Sequence, residues 1–383
     1  MGGHAVKKRR VVVAKRTGPG RSATKKPAVI KKPAAYATTS DYEEEKTCLG
    51  EGAFGVVFKA HHRATGQTVA IKHLSSPPPE VASDAPDPSE QLLREARFLE
   101  ACNGDPHVVG FHCVVRDPDT IELGLVMEYV PGQSLRDILE DQRNGTAPPF
   151  PEATVRAFMR QLLTGAKGMQ ERSIVHRDVK PANVLVAEGA EVLKICDFGL
   201  AISTSDPTPH GEVGTVLYTA PELLLGKPDT DSLADTWSLG CIMAELVDGE
   251  ILLLRAQRMC DEGLAYLWSI FWLLGTPDDV TWPGFASLPR AAEMPPRAEP
   301  TGVRLISHRA PNFDGPALMP PLKPGQRSRL RELYPEWTLS DEGFEVMSGL
   351  LTCNPEKRLT AAEALKLPWF AEDDEDYMTR SYC

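Results

Sequence analysis

Apolar residues follow two regimes along this chain. Between 42 and about 130 they come in short β-rich runs, 55–59, 67–73, 107–115 and 121–130, broken by turn residues. One segment, 89–102, interrupts these strands with Leu92, Leu93, Ala96 and Leu99 at helical spacing. The stretch before it, 75–88, holds five prolines and reads as a surface loop. From 134 onward the period changes to that of amphipathic helices, expected over 134–142, 152–171, 233–247, 265–274, 341–352 and 361–365. No internal repeat is visible. The pattern predicts an α+β chain with a small β-rich lobe over 42–130 and a larger, mainly helical lobe over 131–370.

Composition adds one feature that periodicity does not show. The 383 residues carry a formal charge of -11, but residues 1–40 contain eleven Lys and Arg and no acid. A basic arm over 1–41, with Lys7-Lys8-Arg9-Arg10 and little to form an apolar face, reads as disordered. It is a candidate contact for a polyanion or an import receptor through residues 1–40, a solvated extension with no partner and a transit peptide being the other readings. The chain closes on an acidic tail over 371–383. Eight scattered cysteines show no zinc-ligand spacing, as expected of free thiols in a reducing compartment. The longest apolar stretch, 264–274, is too short for a bilayer, which needs about 20 residues. A soluble protein with a nuclear or cytoplasmic location and no membrane contact follows.

Five motifs carry the chemistry. Leu49-Gly50-Glu51-Gly52-Ala53-Phe54-Gly55-Val56-Val57 reads G-x-G-x-x-G-x-V. Its glycines let backbone N–H groups approach phosphate oxygens, while Leu49 and Val57 can press on a base. Strand rather than helix follows it, which disfavours a dinucleotide-binding crossover. Val69-Ala70-Ile71-Lys72 then places an ammonium on a strand. Alone, each is weak. His176-Arg177-Asp178-Val179-Lys180-Pro181-Ala182-Asn183, Asp197-Phe198-Gly199 and Ala220-Pro221-Glu222 follow in order, and the joint set is specific.

This set resembles the eukaryotic protein-kinase signature from about 42 to 370, which implies the bilobal protein-kinase fold with one regulatory helix in the small lobe. The resemblance implies that Lys72 grips the ATP phosphates and is held by Glu95, with Glu100 as runner-up. It assigns Asp178 to the proton of the attacking hydroxyl, Lys180 to the transferred phosphoryl group, and Asn183 and Asp197 to Mg2+. Ala70, Leu185 and the linker residues Glu128 and Val130 resemble the adenine slot. Glu222 and Arg358 match a buried structural pair, and Asp235 an anchor of the catalytic loop. Cys196 reads as a packed small side chain.

Several segments resemble the cyclin-dependent-kinase branch, among them Leu274-Gly275-Thr276-Pro277 with Trp282-Pro283-Gly284. Lys180 favours protein serine and threonine as substrates. Ala53 and Phe54 stand where that branch usually carries an inhibitory Thr and Tyr, so this brake should be absent. The cyclin-contacting motif keeps only its Arg94-Glu95 end, which weakens the case for a cyclin partner. Gly214 fills a slot usually held by Val, which leaves proline direction open. Arg177 would anchor a phosphorylated activation segment, with Thr208 as the expected phosphosite. The rival to an active kinase is a catalytically silent kinase-fold scaffold, and retention of Lys72, Asp178 and Asp197 argues against it.

Overall fold

Strands come first along the chain and helices dominate after them, as the hydrophobic pattern requires, with some elements that the pattern does not show. The computed structural model describes residues 36–52, 55–74, 87–189, 192–205, 214–252, 262–293 and 325–371. These belong to one compact unit beginning at Tyr36. Ala53, Phe54, Thr208, the arm up to residue 35, most of the proline-rich loop and the acidic tail lie outside the described residues.

The amino-terminal part is a six-stranded sheet. Its strands are β1 (Ala37–Thr38), β2 (Tyr42–Gly52), β3 (Gly55–His62), β4 (Thr68–His73), β5 (Phe111–Arg116) and β6 (Leu123–Glu128), in spatial order β1-β5-β6-β4-β3-β2. Every neighbour pair is antiparallel except β1 with β5. The central strand β4 buries Val69, Ala70, Ile71 and Lys72, so both of its faces are covered. Helix α1 (Pro88–Ala101) lies within one residue of its expected span at each end. Proline at its start and the Asp87 side chain, which accepts from Ser89 N–H, set its first turn.

Several strands depart from expectation. The edge strand β2 is polar and exposed along most of its length, and no apolar alternation reveals it. Its backbone ladder to β3 is reinforced by ion pairs of Glu43 with Arg63 and Glu45 with Lys59, at 3.0 and 2.9 Å. The second departure corrects the extent of the arm, which was expected to run disordered to residue 41. Ala37 and Thr38 pair with Val115 and Arg116, and Thr39 Oγ1 donates to Asp117 at 3.1 Å. The expected run 121–130 also starts late. Asp117 accepts from the N–H groups of Asp119 and Thr120, and this turn puts Ile121 at φ 68°, so pairing resumes only at Leu123.

The carboxy-terminal part is built on α2 (Leu135–Arg143), α3 (Glu152–Glu171), α4 (Pro221–Leu224), α5 (Leu233–Asp248), α6 (Glu262–Leu274), α7 (Leu330–Leu333), α8 (Asp341–Leu350) and α9 (Ala361–Ala364). Helix α5, expected to be amphipathic, is instead buried on every side from Ala234 to Val247, its polar Asp235, Thr236, Ser238 and Glu245 included. It shares one hydrophobic core with Trp268, Phe271, Tyr334, Met347 and Trp369. Short strands lie between these helices: β7 (Gly132–Ser134), β8 (Ile174–Val175), β9 (Val184–Ala187), β10 (Leu193–Ile195) and β11 (Ile202–Ser203). They form the ribbons β7-β9-β10 and β8-β11. Each is too short for a period to show in sequence, yet the turns they pin carry the polar cluster described next. Among the described residues no helix is long and apolar enough to cross a membrane.

Candidate active site

Lys72 sits on β4 opposite Val57 of β3 and Leu125 of β6, which fixes its backbone from both sides. Ala70, two residues earlier, shares its face. The Lys72 ammonium lies 2.9 Å from both carboxylate oxygens of Glu95 and 2.6 Å from Asp197 Oδ1. Lys72 is 5% exposed and Glu95 1%. Glu100 is exposed, so the structure resolves the choice of acid in favour of Glu95. Burial alone would lower the lysine pKa, but the Glu95 and Asp197 charges hold it above its ordinary value. Burial raises the Glu95 pKa despite Lys72, while Lys72 overrides burial and holds Asp197 below the ordinary carboxylate range.

The glycine-rich turn joins β2 to β3, with Gly50 opposite Val57 and Gly52 opposite Gly55. A Cβ added at Gly50 or Gly52 would meet nothing within 4 Å, so the chain leaves open space there. Gly55 is different: its φ is 136° and an added Cβ would sit 2.0 Å from the His73 carbonyl oxygen. Leu49 is 48% exposed and Val57 half-buried.

Of the adenine-slot candidates, Ala70 lies on β4, Leu185 on β9, Glu128 at the end of β6 and Val130 in the linker that follows it. The Glu128 N–H donates to Gly110 O at 2.8 Å, so the backbone group it can offer a base is its carbonyl. Its side chain accepts from Gly110 N–H at 2.9 Å and pairs with Lys194 at 3.1 Å, linking the linker to β10.

Asp178 lies 6% exposed in the turn between β8 and β9. Asp235 of α5 holds that turn from below, accepting from the N–H groups of His176 and Arg177 at 2.8 and 2.9 Å. Its own carboxyl pKa is raised by burial. Lys180 Nζ donates to Asp178 Oδ2 at 2.8 Å, and Asn183 Nδ2 donates to the Asp178 carbonyl at 2.9 Å. Asp197 begins the next turn at φ 63°, and Phe198 behind it is fully buried, edge-on to the His176 ring at 4.8 Å between centroids. Burial lifts the Cys196 thiol to about 12, in keeping with a packed rather than a redox side chain.

Arg177, at φ 66°, donates from Nε to Leu200 O at 2.8 Å. Burial, with a further contribution from Arg94, lowers its pKa to about 10. Glu222 and Arg358 form a two-armed pair with both contacts at 2.7 Å.

One residue of this cluster was not a sequence candidate. Thr215 donates to Asp178 Oδ1 from its N–H and hydroxyl at 3.1 and 2.9 Å, and Lys180 Nζ donates to the same hydroxyl at 2.9 Å. A lone threonine seven residues before Glu222 carries no signal of its own, because its role depends on a fold that returns it to Asp178 across 37 positions.

The protein kinase domain model matches residues 42–370. The chain belongs to the protein kinase family. A protein of Oryza sativa subsp. japonica named "Putative cyclin-dependent kinase F-2" is 43% identical over 335 residues, covering 85% of this chain and 89% of that one. Cell division control protein 2 homolog 2 of Trypanosoma brucei brucei is 35% identical, covering 90% and 87%. The solved CAK complex of Chaetomium thermophilum bound to ATP-gamma-S contains a chain matching at a TM-score of 0.66 and 27% identity, over 87% of this chain and 92% of that one. This protein is therefore a serine/threonine kinase of the cyclin-dependent-kinase type, with the bilobal fold expected from its motifs.

Proposed function

We propose that this kinase transfers the γ-phosphate of ATP to serine or threonine hydroxyls of protein substrates, with Lys72, Asp178, Lys180, Asn183 and Asp197 as its working residues. The observation that carries this reading is the convergence of Glu95 and Asp197 within 2.9 Å of the Lys72 ammonium. Glu95 orients Lys72 toward the α and β phosphates. The open space over Gly50 and Gly52 suits phosphates approached by backbone N–H groups, with Leu49 and Glu51 as their neighbours in the turn. Ala70, Val57 and Leu185 supply apolar surface for the base, and the Glu128 carbonyl and Val130 N–H its hydrogen bonds.

Asp178 takes the proton of the acceptor hydroxyl, and Lys180 steadies the phosphoryl oxygens as they leave ATP. The oxygen donors of Asn183 and Asp197 suit Mg2+. Asn183 spends its amide N–H on Asp178, which leaves its amide oxygen for a hard cation, and Asp197 has one carboxylate oxygen outside its bond to Lys72. When bound, the ion neutralises charge on the β and γ phosphates.

The exposed side of α1 is the surface a cyclin would meet, and residues 1–40 would serve nuclear delivery or polyanion contact. The direct test is γ-phosphate transfer to a generic protein substrate by wild type and by Asp178→Asn. Wild type transfers and the variant does not; equal background from both would sink the reading in favour of a silent scaffold.

A further inference from the structure

The match to the protein kinase domain begins at residue 42, but the compact unit begins at Tyr36. Strands β1 and β2 stand at opposite edges of the six-stranded sheet, yet only Thr39–Asp41 separates them in the chain. Five inter-strand spacings laid flat would hold those edges about 24 Å apart, whereas the backbone from Thr38 to Tyr42 reaches at most about 14 Å. The sheet therefore curls until residues 36–41 strap one edge to the other. On the β5 side, Ala37 and Thr38 pair with Val115 and Arg116, the Arg116 guanidinium lies 6.0 Å from the Tyr36 ring centroid, and Thr39 Oγ1 donates to Asp117 Oδ2 at 3.1 Å. Just past the end of β3, Arg63 donates to Asp41 O from its N–H at 2.8 Å and to Ser40 O from Nε at 3.2 Å.

The curled sheet has a core of its own, Ala60, Val69, Ile71, Val115 and Val126, with Tyr42 and Cys113 packed against it. The Tyr42 hydroxyl lies 3.6 Å from Cys113 Sγ, which joins the first residue after the strap to β5. Val69 and Ile71 alternate along β4 with Ala70 and Lys72, so this core backs the strand face assigned to ATP. Asp117 is set for its bond to Thr39. Its other oxygen accepts from the Thr120 and Asp119 N–H groups at 2.8 and 2.9 Å, and these donors hold its carboxyl below the ordinary carboxylate range.

We propose that residues 36–41 are a positioning element for the ATP side of the reaction: latched by Thr39 on Asp117, the strap closes the sheet over this core and thereby fixes β4 and Lys72 for the phosphates. This rests on the kinase reading above. The strap's bonds end on β5, the turn after it and Arg63, all in the small lobe. Opening the latch should therefore weaken ATP binding and leave the transfer step, once ATP is bound, unchanged.

The experiment measures KM for ATP, kcat and the thermal midpoint of the full chain for wild type, Thr39→Val, Thr39→Ser, Asp117→Ala and the double variant Thr39→Val with Asp117→Ala. Thr39→Val keeps the shape and removes only the latch hydroxyl. Its KM for ATP should rise about threefold to tenfold while kcat stays within about twofold, the signature of lost binding rather than of a slower transfer step. Thr39→Ser restores the hydroxyl and should recover the wild-type KM. Asp117→Ala removes the acceptor and the turn it braces, so it should raise KM at least as far, and adding Thr39→Val should raise it no further, because both act through one bond. A Thr39→Val protein with a lower midpoint and an unchanged KM makes the strap a stability element only, and the proposal fails. It fails also if the two substitutions multiply in the double variant. If wild type transfers no phosphate, the kinase reading falls and the proposal with it.

Discussion

Thr215 places two hydrogen bonds on a single oxygen of Asp178, from its N–H at 3.1 Å and its hydroxyl at 2.9 Å. The Asp178 carboxylate is thereby held from one side by the segment before Glu222, and from the other by Lys180 at 2.8 Å. A carboxylate so constrained presents a fixed edge to an incoming hydroxyl, which is what a proton acceptor in this position requires.

Removing the hydroxyl tests that constraint. Thr215→Val keeps the shape but leaves Lys180 and Asp178 without their shared partner, and kcat should fall by about 10- to 100-fold with little change in the KM for ATP. Thr215→Ser restores the hydroxyl and should recover most of the rate. Steady-state kinetics of the three proteins decide it, and a Val variant as fast as wild type would remove Thr215 from the catalytic arrangement.

Thr215 also marks where reading the sequence runs out. Lys72, Asp178 and Asp197 were legible because each sits in a short motif whose order along the chain is itself informative. Helices α1 and α3 were legible because their apolar stripes are long and regular. Strand β2 was not, since its residues face solvent and are held by the ladder to β3 and by ion pairs rather than by a core. The same holds for β1, a two-residue strand whose evidence is its partner β5. Tertiary closure, not local pattern, creates these elements, and it also brings Glu245 under Tyr218.

The pH dependence of stability should show Lys72 at work. Asp197 is held below the ordinary carboxylate range, so it contributes stability that is present above the unfolded value of about 4 and lost as pH falls through the depressed folded value. Glu95, raised by burial, has the opposite sign and loses stability as pH rises. In Lys72→Met both carboxyls lose their cation and protonate at higher pH than in wild type. The gap in unfolding free energy between wild type and Lys72→Met should therefore be widest near neutral pH and narrow toward pH 3. Denaturant titrations across that range check it, and a gap that is flat or widens on acidification contradicts the coupling.

Arg358 and Glu222 make the strongest single case for a structural ion pair. The arginine side chain is fully buried, reaches Glu222 with both arms at 2.7 Å, and donates also to the carbonyls of Thr352, Leu233 and Cys353. Arg358→Ala strands a buried carboxylate and three carbonyl oxygens, and should cost about 3–5 kcal/mol of unfolding free energy. Arg358→Lys cannot reproduce the fork and should recover only part of it. Urea unfolding at neutral pH measures the loss. A change below about 1 kcal/mol would mean that water or a neighbouring cation replaces the arginine.

The glycine-rich turn should separate a glycine required by the fold from glycines that keep space open. At Gly55 a φ of 136° is unfavourable for any L side chain, and the added methyl would lie 2.0 Å from the His73 carbonyl, so the turn must lift away from β4. Gly55→Ala should lower the thermal midpoint, at a cost of about 1–3 kcal/mol, and raise the KM for ATP because Lys72 lies one residue before His73 on the strand that is displaced. Gly52→Ala meets no protein atom within 4 Å and should unfold like wild type. Its effect should appear only when nucleotide is present, as a weaker shift of the midpoint on adding ATP, because the methyl projects where phosphates approach the backbone. Thermal melts of both variants with and without ATP distinguish the two roles. A Gly55→Ala protein that melts and binds ATP like wild type would show that the turn tolerates a side chain at that point.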